Sequence, residues 1–311
     1  MTSLIEVDGV SKRYGDKLAL DDVTFTVIPG AVTGFLGPNG AGKSTAMRII
    51  LGLDRANAGT ARVNGKAYHD LTAPLHEVGA MLDARAIHPG RSAYGHLLAL
   101  AQTHGIGRRR VGEMLDRVGL SDVARKRVGG FSLGMEQRLG IAAALLGDPQ
   151  TLILDEPANG LDPDGIRWIR ELMLELAAEG RTVFVSSHLM SEIALTAERL
   201  IVIGRGRLIA DTTAEEFIRR AVPDAVRVRA PDARLLAAVL RDLGAVIGRT
   251  DDGALLIHGL DAARIGDAAA AAGVVLHELT PEQASLEDAF MRVTHDVNDH
   301  HATAPIRESV A

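Results

Sequence analysis

The segments Val32 to Leu36, Thr151 to Leu154 and Thr182 to Val185 are short apolar runs of the kind found in strands buried on both faces. Two other segments, Leu4 to Val10 and Val23 to Val27, alternate roughly between apolar and polar residues, with Gly30 closing the second. They predict strands of a small antiparallel layer, which residues 59–66 join through an Asn64-Gly65 turn. Between about 84 and 146 the pattern is helical: Val111, Met114, Leu115 and Val118 recur at helical spacing, and Gly119 follows as a stop. Arg108, Arg109 and Arg110 open that helix and are expected to form a solvated face or a loop. A further helix over 163–176 carries Ile166, Ile169, Leu172, Met173 and Leu176 on one face, with the single tryptophan, Trp168, read as structural.

Beyond the runs Leu200 to Ile203 and Arg207 to Asp211 the character changes, and Pro223 marks a boundary. Strands are expected near 225–229, 245–248, 254–258 and 274–279, with helices near 232–243 and 261–272. Ser285-Leu286-Glu287-Asp288 has the pattern of a capping box ahead of a last helix, with Leu286, Phe290 and Val293 on one face. The expected division is a large first domain over 1–222, a small α+β domain over 223–295 and a polar tail over 296–311. The tail histidines, His300 and His301, are of a residue type that binds metal, but they are expected to belong to a frayed terminus.

Composition narrows the class. Apolar residues make up 47% of the chain, as in a globular protein, and 34 basic against 40 acidic residues give −6, which argues against a dedicated nucleic-acid binder. With no cysteine there is neither a disulfide nor a thiolate nucleophile, which suits a reducing cytosol. No apolar run is long enough to span a bilayer and the start lacks the regions of a signal peptide, so the chain itself is not expected to cross a membrane.

The chemistry gathers after the first buried strand. Gly37-Pro38-Asn39-Gly40-Ala41-Gly42-Lys43-Ser44, followed by Thr45, fits G-x-x-x-x-G-K-[ST] between a strand and a helix, the setting a P-loop requires. Such a loop turns backbone N–H groups toward a polyphosphate, Lys43 reaches the β- and γ-phosphates, and Ser44 ligates Mg²⁺. The strand over 151–154 ends in Asp155 and Glu156, suited respectively to the Mg²⁺ shell and to deprotonating an attacking water; the bland reading is two strand-end acids in solvent. His188 follows another strand, at the sheet edge where such folds bind ligands, and is either a γ-phosphate donor or a structural histidine. Tyr14, ahead of a Gly15-Asp16 turn, is either a purine-stacking ring or a packing residue.

Phe131-Ser132-Leu133-Gly134-Met135-Glu136-Gln137 resembles the signature motif of ATP-binding cassette (ABC) ATPases, and with it the whole span from Leu4 to Asp211 resembles an ABC nucleotide-binding domain. The resemblance implies an α/β P-loop NTPase of ABC type, with a mostly parallel core sheet, an antiparallel β layer, a helical subdomain and a small C-terminal α+β domain. It implies ATP and Mg²⁺ as cofactors, Tyr14 as the adenine-stacking aromatic, and the P-loop residues, including Pro38, Asn39, Ala41 and Thr45, around the phosphates. Ser132 and Gly134 then hold the signature positions, Asp155 the Walker B aspartate, Glu156 the catalytic glutamate, Asp162 the D-loop and His188 the switch histidine. Two positions depart from the pattern: Leu133 replaces the first signature glycine, similar to bacitracin-resistance-type ATPases, and Asp83 replaces the Q-loop glutamine, where it either ligates Mg²⁺, directly or through water, or stays in solvent while the loop only touches the permease. With one cassette per chain, the resemblance implies a head-to-tail homodimer or a pair with a second cassette. The pair would dock through residues 84–100 on a separately encoded permease, at the cytoplasmic face of the cell membrane. The expected function is that of the ATPase subunit of an antibiotic or multidrug exporter. The alternative is a cassette ATPase acting on nucleic acid or the ribosome, while a P-loop kinase or GTPase is disfavoured by the signature and by the lack of an N-K-x-D motif.

Overall fold

The structure, a computed structural model, describes residues 4–221, 225–250, 252–282, 285–299 and 306–307. Pro223, His300, His301 and Pro305 lie outside the described residues. The chain forms two compact units that part between Ala214 and Glu215, ahead of the proline at which the sequence suggested a boundary.

In the first unit the strands β1 (Ile5–Tyr14), β2 (Lys17–Val27) and β4 (Ala58–Val63) form an antiparallel sheet in the order β2-β1-β4. Asn64 and Gly65 close the last strand with positive φ of 55° and 76°, the pair of left-handed residues that a tight hairpin turn needs. The second sheet holds β3 (Val32–Leu36), β5 (Val78–Met81), β6 (Thr151–Asp155), β7 (Thr182–Ser187), β8 (Arg199–Gly204) and β9 (Arg207–Thr213), in the order β9-β8-β3-β7-β6-β5. All its neighbours are parallel except β8 with β9. Of the tail, Ile306–Arg307 pair with Ala210 and Asp211 at the β9 edge.

Every residue of β3 and β7 is buried, which is why these strands read as unbroken apolar runs. The two sheets meet through three phenylalanines. Phe25 of β2 lies 5.5 Å from Phe35 of β3 and 5.8 Å from Phe184 of β7, and Phe35 and Phe184 stack at 5.1 Å between ring centroids. The helix α1 (Lys43–Ile50), which follows the P-loop, drives Met47 and Ile50 into the same core.

The short helix α2 (Pro74–Glu77) precedes β5, and the helical region consists of α3 (Ala93–Thr103), α4 (Arg108–Arg117) and α5 (Leu133–Leu145). Val111, Met114, Leu115 and Val118 are all buried, as their spacing predicts. Arg110 departs from the expectation of a solvated face. Its guanidinium donates to the carbonyls of Leu145 and Leu146 at 3.0 and 3.2 Å, satisfying carbonyls that the end of α5 leaves open. Helix α6 (Pro163–Ala178) connects β6 to β7, starting on an Asp162 cap and a proline in its first turn and ending at Gly180. Trp168 on α6 lies under the Arg138 guanidinium of α5 at 4.5 Å, a cation–π contact that ties the two helices. Beyond β7 come α7 (Met190–Ala194) and, after β9, α8 (Ala214–Ala221).

The second unit is α+β. Strands β10 (Ala225–Arg229), β11 (Val246–Arg249), β12 (Leu255–His258) and β13 (Glu278–Glu282) form an antiparallel sheet in the order β11-β12-β10-β13. It shares one core with α9 (Ala233–Asp242) and α10 (Ala262–Ala271), built on Val226, Val228, Leu236, Leu240, Ile257 and Ile265. The last strand forms later than its apolar run suggested. After α10 ends, Val274 is buried and Val275 exposed in a connection, and pairing begins where His277 donates to Arg229 at 2.7 Å. Register is fixed by Arg229 against Glu278, whose side chains pair at 2.9 Å. The final helix, α11 (Leu286–Asp299), carries the expected reciprocal cap. Asp288 N–H donates to Ser285 Oγ at 3.0 Å and Ser285 N–H to Asp288 Oδ2 at 3.3 Å, while Leu286 and Phe290 are buried. The Val293 side chain lies outside the described residues.

Because Phe184 is fully buried between both sheets, Phe184→Ala is expected to cost about 3–5 kcal/mol, and Phe184→Leu markedly less. Urea unfolding curves of the two variants check the difference.

Candidate functional site

The site is built where β3 runs into α1. The chain can turn there only because two neighbours come close at positions without a side chain. A Cβ at Gly37 would lie 2.4 Å from the Ile203 carbonyl of β8, and one at Gly42, whose φ is 111°, would lie 2.7 Å from the Ala19 carbonyl of β2. Gly42 caps α1 without a side-chain hydrogen bond, so the first amides of the helix stay open to an anion.

Lys43 is only 7% exposed. Its ammonium donates to the Gly37 carbonyl at 2.6 Å and lies 3.9 Å from Glu156 Oε1. Burial holds its pKa below the ordinary lysine value, while Glu156 and Asp155 oppose that shift. Ser44 Oγ donates to Asp155 Oδ2 at 2.6 Å, and Ser186 of β7 donates to the other oxygen of the same carboxylate.

Glu156 follows β6 in the left-handed region, φ 51°, a conformation that costs a glutamate roughly 1 kcal/mol or more. Its N–H, donating to Ser186 Oγ at 3.0 Å, holds it there. The turn points the carboxylate back over the P-loop, where Oε2 meets His188 Nδ1 at 2.6 Å and accepts from the His188 N–H at 3.3 Å. Lys43, Glu156 and His188 thus form one chain of contacts. Tyr14 stands at the rim, 45% exposed, and donates to Asp54 Oδ2 at 2.7 Å. That bond chiefly raises the pKa of its phenol, so Tyr14 stays protonated at neutral pH.

Between them opens a cleft of about 290 Å³, lined by Tyr14, the P-loop residues Pro38 to Gly40 and Gly42 to Thr45, Asp155 and Glu156. Ala41 is buried behind it, and its N–H donates to Pro38. His188 reaches the cleft through Glu156.

Five other residues named from the sequence do not line the cleft: Gly37, packed against Ile203, and four that lie elsewhere. Ser132 caps α5, accepting from Met135 N–H at 3.3 Å, and Gly134 lies so close to the Gly160 carbonyl that a Cβ would approach to 3.1 Å. Asp162 caps α6, accepting from Gly165 N–H at 2.8 Å. Asp83, past the end of β5, is exposed and accepts from Arg85 N–H at 2.8 Å. Leu133, the unusual signature residue, lies over Gly160, where a Cβ would come 2.2 Å from its Cδ2. A missing side chain in the turn after β6 therefore makes room for the extra one in the signature.

Sequence reasoning missed Lys17 and Ala19, which also line the cleft, and Ser186 and Asp54, which hold site residues in place. Ser186 is signalled only as one of two serines that end a strand whose middle, Val183 to Val185, is apolar. Asp54 gives no signal, since its link to Tyr14 spans 40 positions.

The available groups are oxygen donors at Ser44 and Asp155, a buried ammonium, open helix amides, and a carboxylate placed as a base. They suit binding and hydrolysis of a nucleoside triphosphate. A mostly parallel sheet bearing this loop and this acidic strand end, with a separate signature helix, defines a P-loop ATPase of the cassette class.

The comparisons specify the family. Residues 20–159 match the family described as ABC transporter, and residues 224–287 match a domain of unknown function. The chain is 38% identical to the bacitracin transport ATP-binding protein BcrA of Bacillus licheniformis, covering 71% of this chain and 73% of the relative. It is 33% identical to BcrA of Enterococcus faecalis over 94% of this chain and 97% of the relative. It is also 34% identical to the daunorubicin resistance ATP-binding protein DrrA3 of Streptomyces coeruleorubidus, over 94% and 96%. Among solved structures, the ATP-binding subunit of an ABC transporter superposes with a TM-score of 0.64 at 29% identity, over 70% of this chain and 92% of that one. A dimeric cassette in a post-hydrolysis state, bound to ADP and Pi, superposes at 0.61 with 25% identity, over 67% and 98%. The chain belongs to the ATP-binding proteins of ABC transporters and is an ATPase.

Lys43→Met, which keeps the length of the stem, is expected to abolish hydrolysis and to lower the melting temperature, because it leaves Glu156 without its cation and the Gly37 carbonyl without its donor. Phosphate release and a thermal melt without nucleotide check the two halves together.

Proposed function

We propose that this chain is the ATP-hydrolysing subunit of an exporter of antibiotic or multidrug type. It works as a head-to-tail homodimer, or paired with a second cassette, and drives a separately encoded permease at the cytoplasmic face of the membrane. The observation that carries the reading is the division of the site: the cleft holds P-loop, base and rim tyrosine, whereas Ser132 and Gly134 stand outside it. A partner's signature would complete what one chain leaves open. The relatives named for bacitracin transport and daunorubicin resistance support the exporter class. No helix among the described residues is long and apolar enough to cross a membrane. In this reading the permease docks through residues 84–100.

In this reading the adenine stacks on Tyr14, and the triphosphate lies along residues 37–45, taking over the hydrogen bonds that Lys43 now gives to the Gly37 carbonyl. Glu156 takes a proton from water as the water oxygen bonds to the γ-phosphorus and the bond to ADP breaks. His188 holds the carboxylate in line through its 2.6 Å contact, then turns to the γ-phosphate as the dimer closes. The site fits Mg²⁺. Ser44 and Asp155 offer oxygen donors 2.6 Å apart, and no cluster of three or more acidic, histidine or cysteine residues stands ready among the described residues, as expected of an ion held largely by water and phosphate. When bound, the ion neutralises charge on the transferring phosphoryl group. Asp83 would add an oxygen ligand, directly or through water, only by giving up its bond to Arg85 N–H.

Glu156→Gln keeps the shape and loses the base. Retained ATP binding, lost hydrolysis and a dimer stable to size-exclusion chromatography in ATP are the expected results; monomer with continuing hydrolysis overturns the reading. Asp83→Asn removes a charge at nearly constant shape and is expected to raise the Mg²⁺ concentration needed for half-maximal hydrolysis. Superimposable Mg²⁺ titrations of variant and parent would remove Asp83 from the metal site.

A further inference from the structure

The rim tyrosine is not free to choose its position. Four contacts seam the end of β1 to the turn that follows α1. Asn57 N–H donates to the Ser11 carbonyl at 2.8 Å, Lys12 Nζ to the Arg55 carbonyl at 2.6 Å, Arg13 N–H to Asn57 Oδ1 at 2.7 Å, and Tyr14 OH to Asp54 Oδ2 at 2.7 Å. The Asp54 oxygen that receives the phenol also receives Arg48 Nε, at 2.8 Å. Arg48 belongs to α1, the helix whose N-terminus carries Lys43 and Ser44. Asp54 therefore joins the aromatic ring at the rim to the helix that holds the phosphates.

We infer that Asp54 is a positioning residue for the nucleotide base, acting through Tyr14. The inference rests on the reading of Tyr14 as the stacking ring. A tyrosine 45% exposed near the tip of a hairpin would otherwise rotate among several rotamers, and a base would have to order it on binding. The hydrogen bond removes that cost in advance. It also selects a face: Lys12 Nζ lies over the ring at 4.9 Å from its centroid, which leaves the opposite face for the base. The arrangement keeps its protonation states at neutral pH. Arg48 and the phenol hold Asp54 below the usual carboxylate range, and Asp54 in turn holds the phenol in its donor form.

The test is a double-mutant cycle on the full chain, read as KM for MgATP and kcat. Asp54→Ala is expected to raise KM about two- to tenfold, the scale of ordering one side chain, with kcat unchanged. Asp54→Asn keeps an acceptor for the phenol and is expected to recover most of the loss. In a Tyr14→Phe background, where no phenol remains to hold, Asp54→Ala is expected to change nothing further. Inhibition by pyrophosphate, which has phosphates and no base, is expected to be the same in parent and Asp54→Ala. An unchanged KM in Asp54→Ala overturns the inference, as does the same loss in the parent and Tyr14→Phe backgrounds, or equal weakening of pyrophosphate and ATP. Tyr14→Ala separates the two levels. If it leaves KM unaltered, the stacking reading fails and the inference with it; if it raises KM while Asp54→Ala does not, only the role of Asp54 is lost.

Discussion

The structure depends on how closely backbone can approach backbone around residues 37–42. Gly37 lies against the Ile203 carbonyl of β8 and Gly42 against the Ala19 carbonyl of β2, with no room for a Cβ at either. These contacts bring the antiparallel sheet and the core sheet to the same loop. Beneath it, Phe25, Phe35 and Phe184 fill the space between the sheets. The loop is thus held from two sides and from below. The first amides of α1, left without a side-chain cap, are fixed dipoles that need little reorganisation when an anion arrives, which is what makes such dipoles effective.

Once the loop is fixed, the other groups follow from strand order. Because β3, β7 and β6 are adjacent and parallel, their C-terminal ends deliver the P-loop, His188 and Asp155-Glu156 to one edge. Ser186 then serves two neighbours, donating to Asp155 and accepting from the Glu156 N–H. A single hydroxyl on β7 thus orients the Asp155 carboxylate and the backbone of Glu156 beside it.

Much of this was legible in the sequence, for definable reasons. Strands buried on both faces must be apolar throughout, so β3, β6 and β7 announced themselves, and the glycines and lysine of the P-loop are demanded by local geometry at fixed spacing. Contacts between distant segments leave no such trace. Arg110 looked like one of three solvated arginines, and only the folded position of α5 gives it carbonyls to meet. The run Val274 to Leu276 looked like a strand, yet pairing with β10 begins only at His277, because the charged partners Arg229 and Glu278 set the register. Asp83 was legible as a departure from a pattern, but its bond to Arg85 N–H depends on the turn that it caps.

Leu133 over Gly160 has a mechanical meaning. The turn from Glu156 to Leu161 is a compact unit, with Asn159 N–H bonded to the Glu156 carbonyl at 3.2 Å and Leu161 N–H to the Ala158 carbonyl at 3.1 Å. Leu133, at the start of α5, bears on the far end of that unit, while Glu156 stands at its near end. The start of α5 and the acidic end of β6 therefore brace one another across a single hydrogen-bonded turn, so a side chain larger than leucine at 133 or any side chain at 160 would have to displace the segment that holds Glu156.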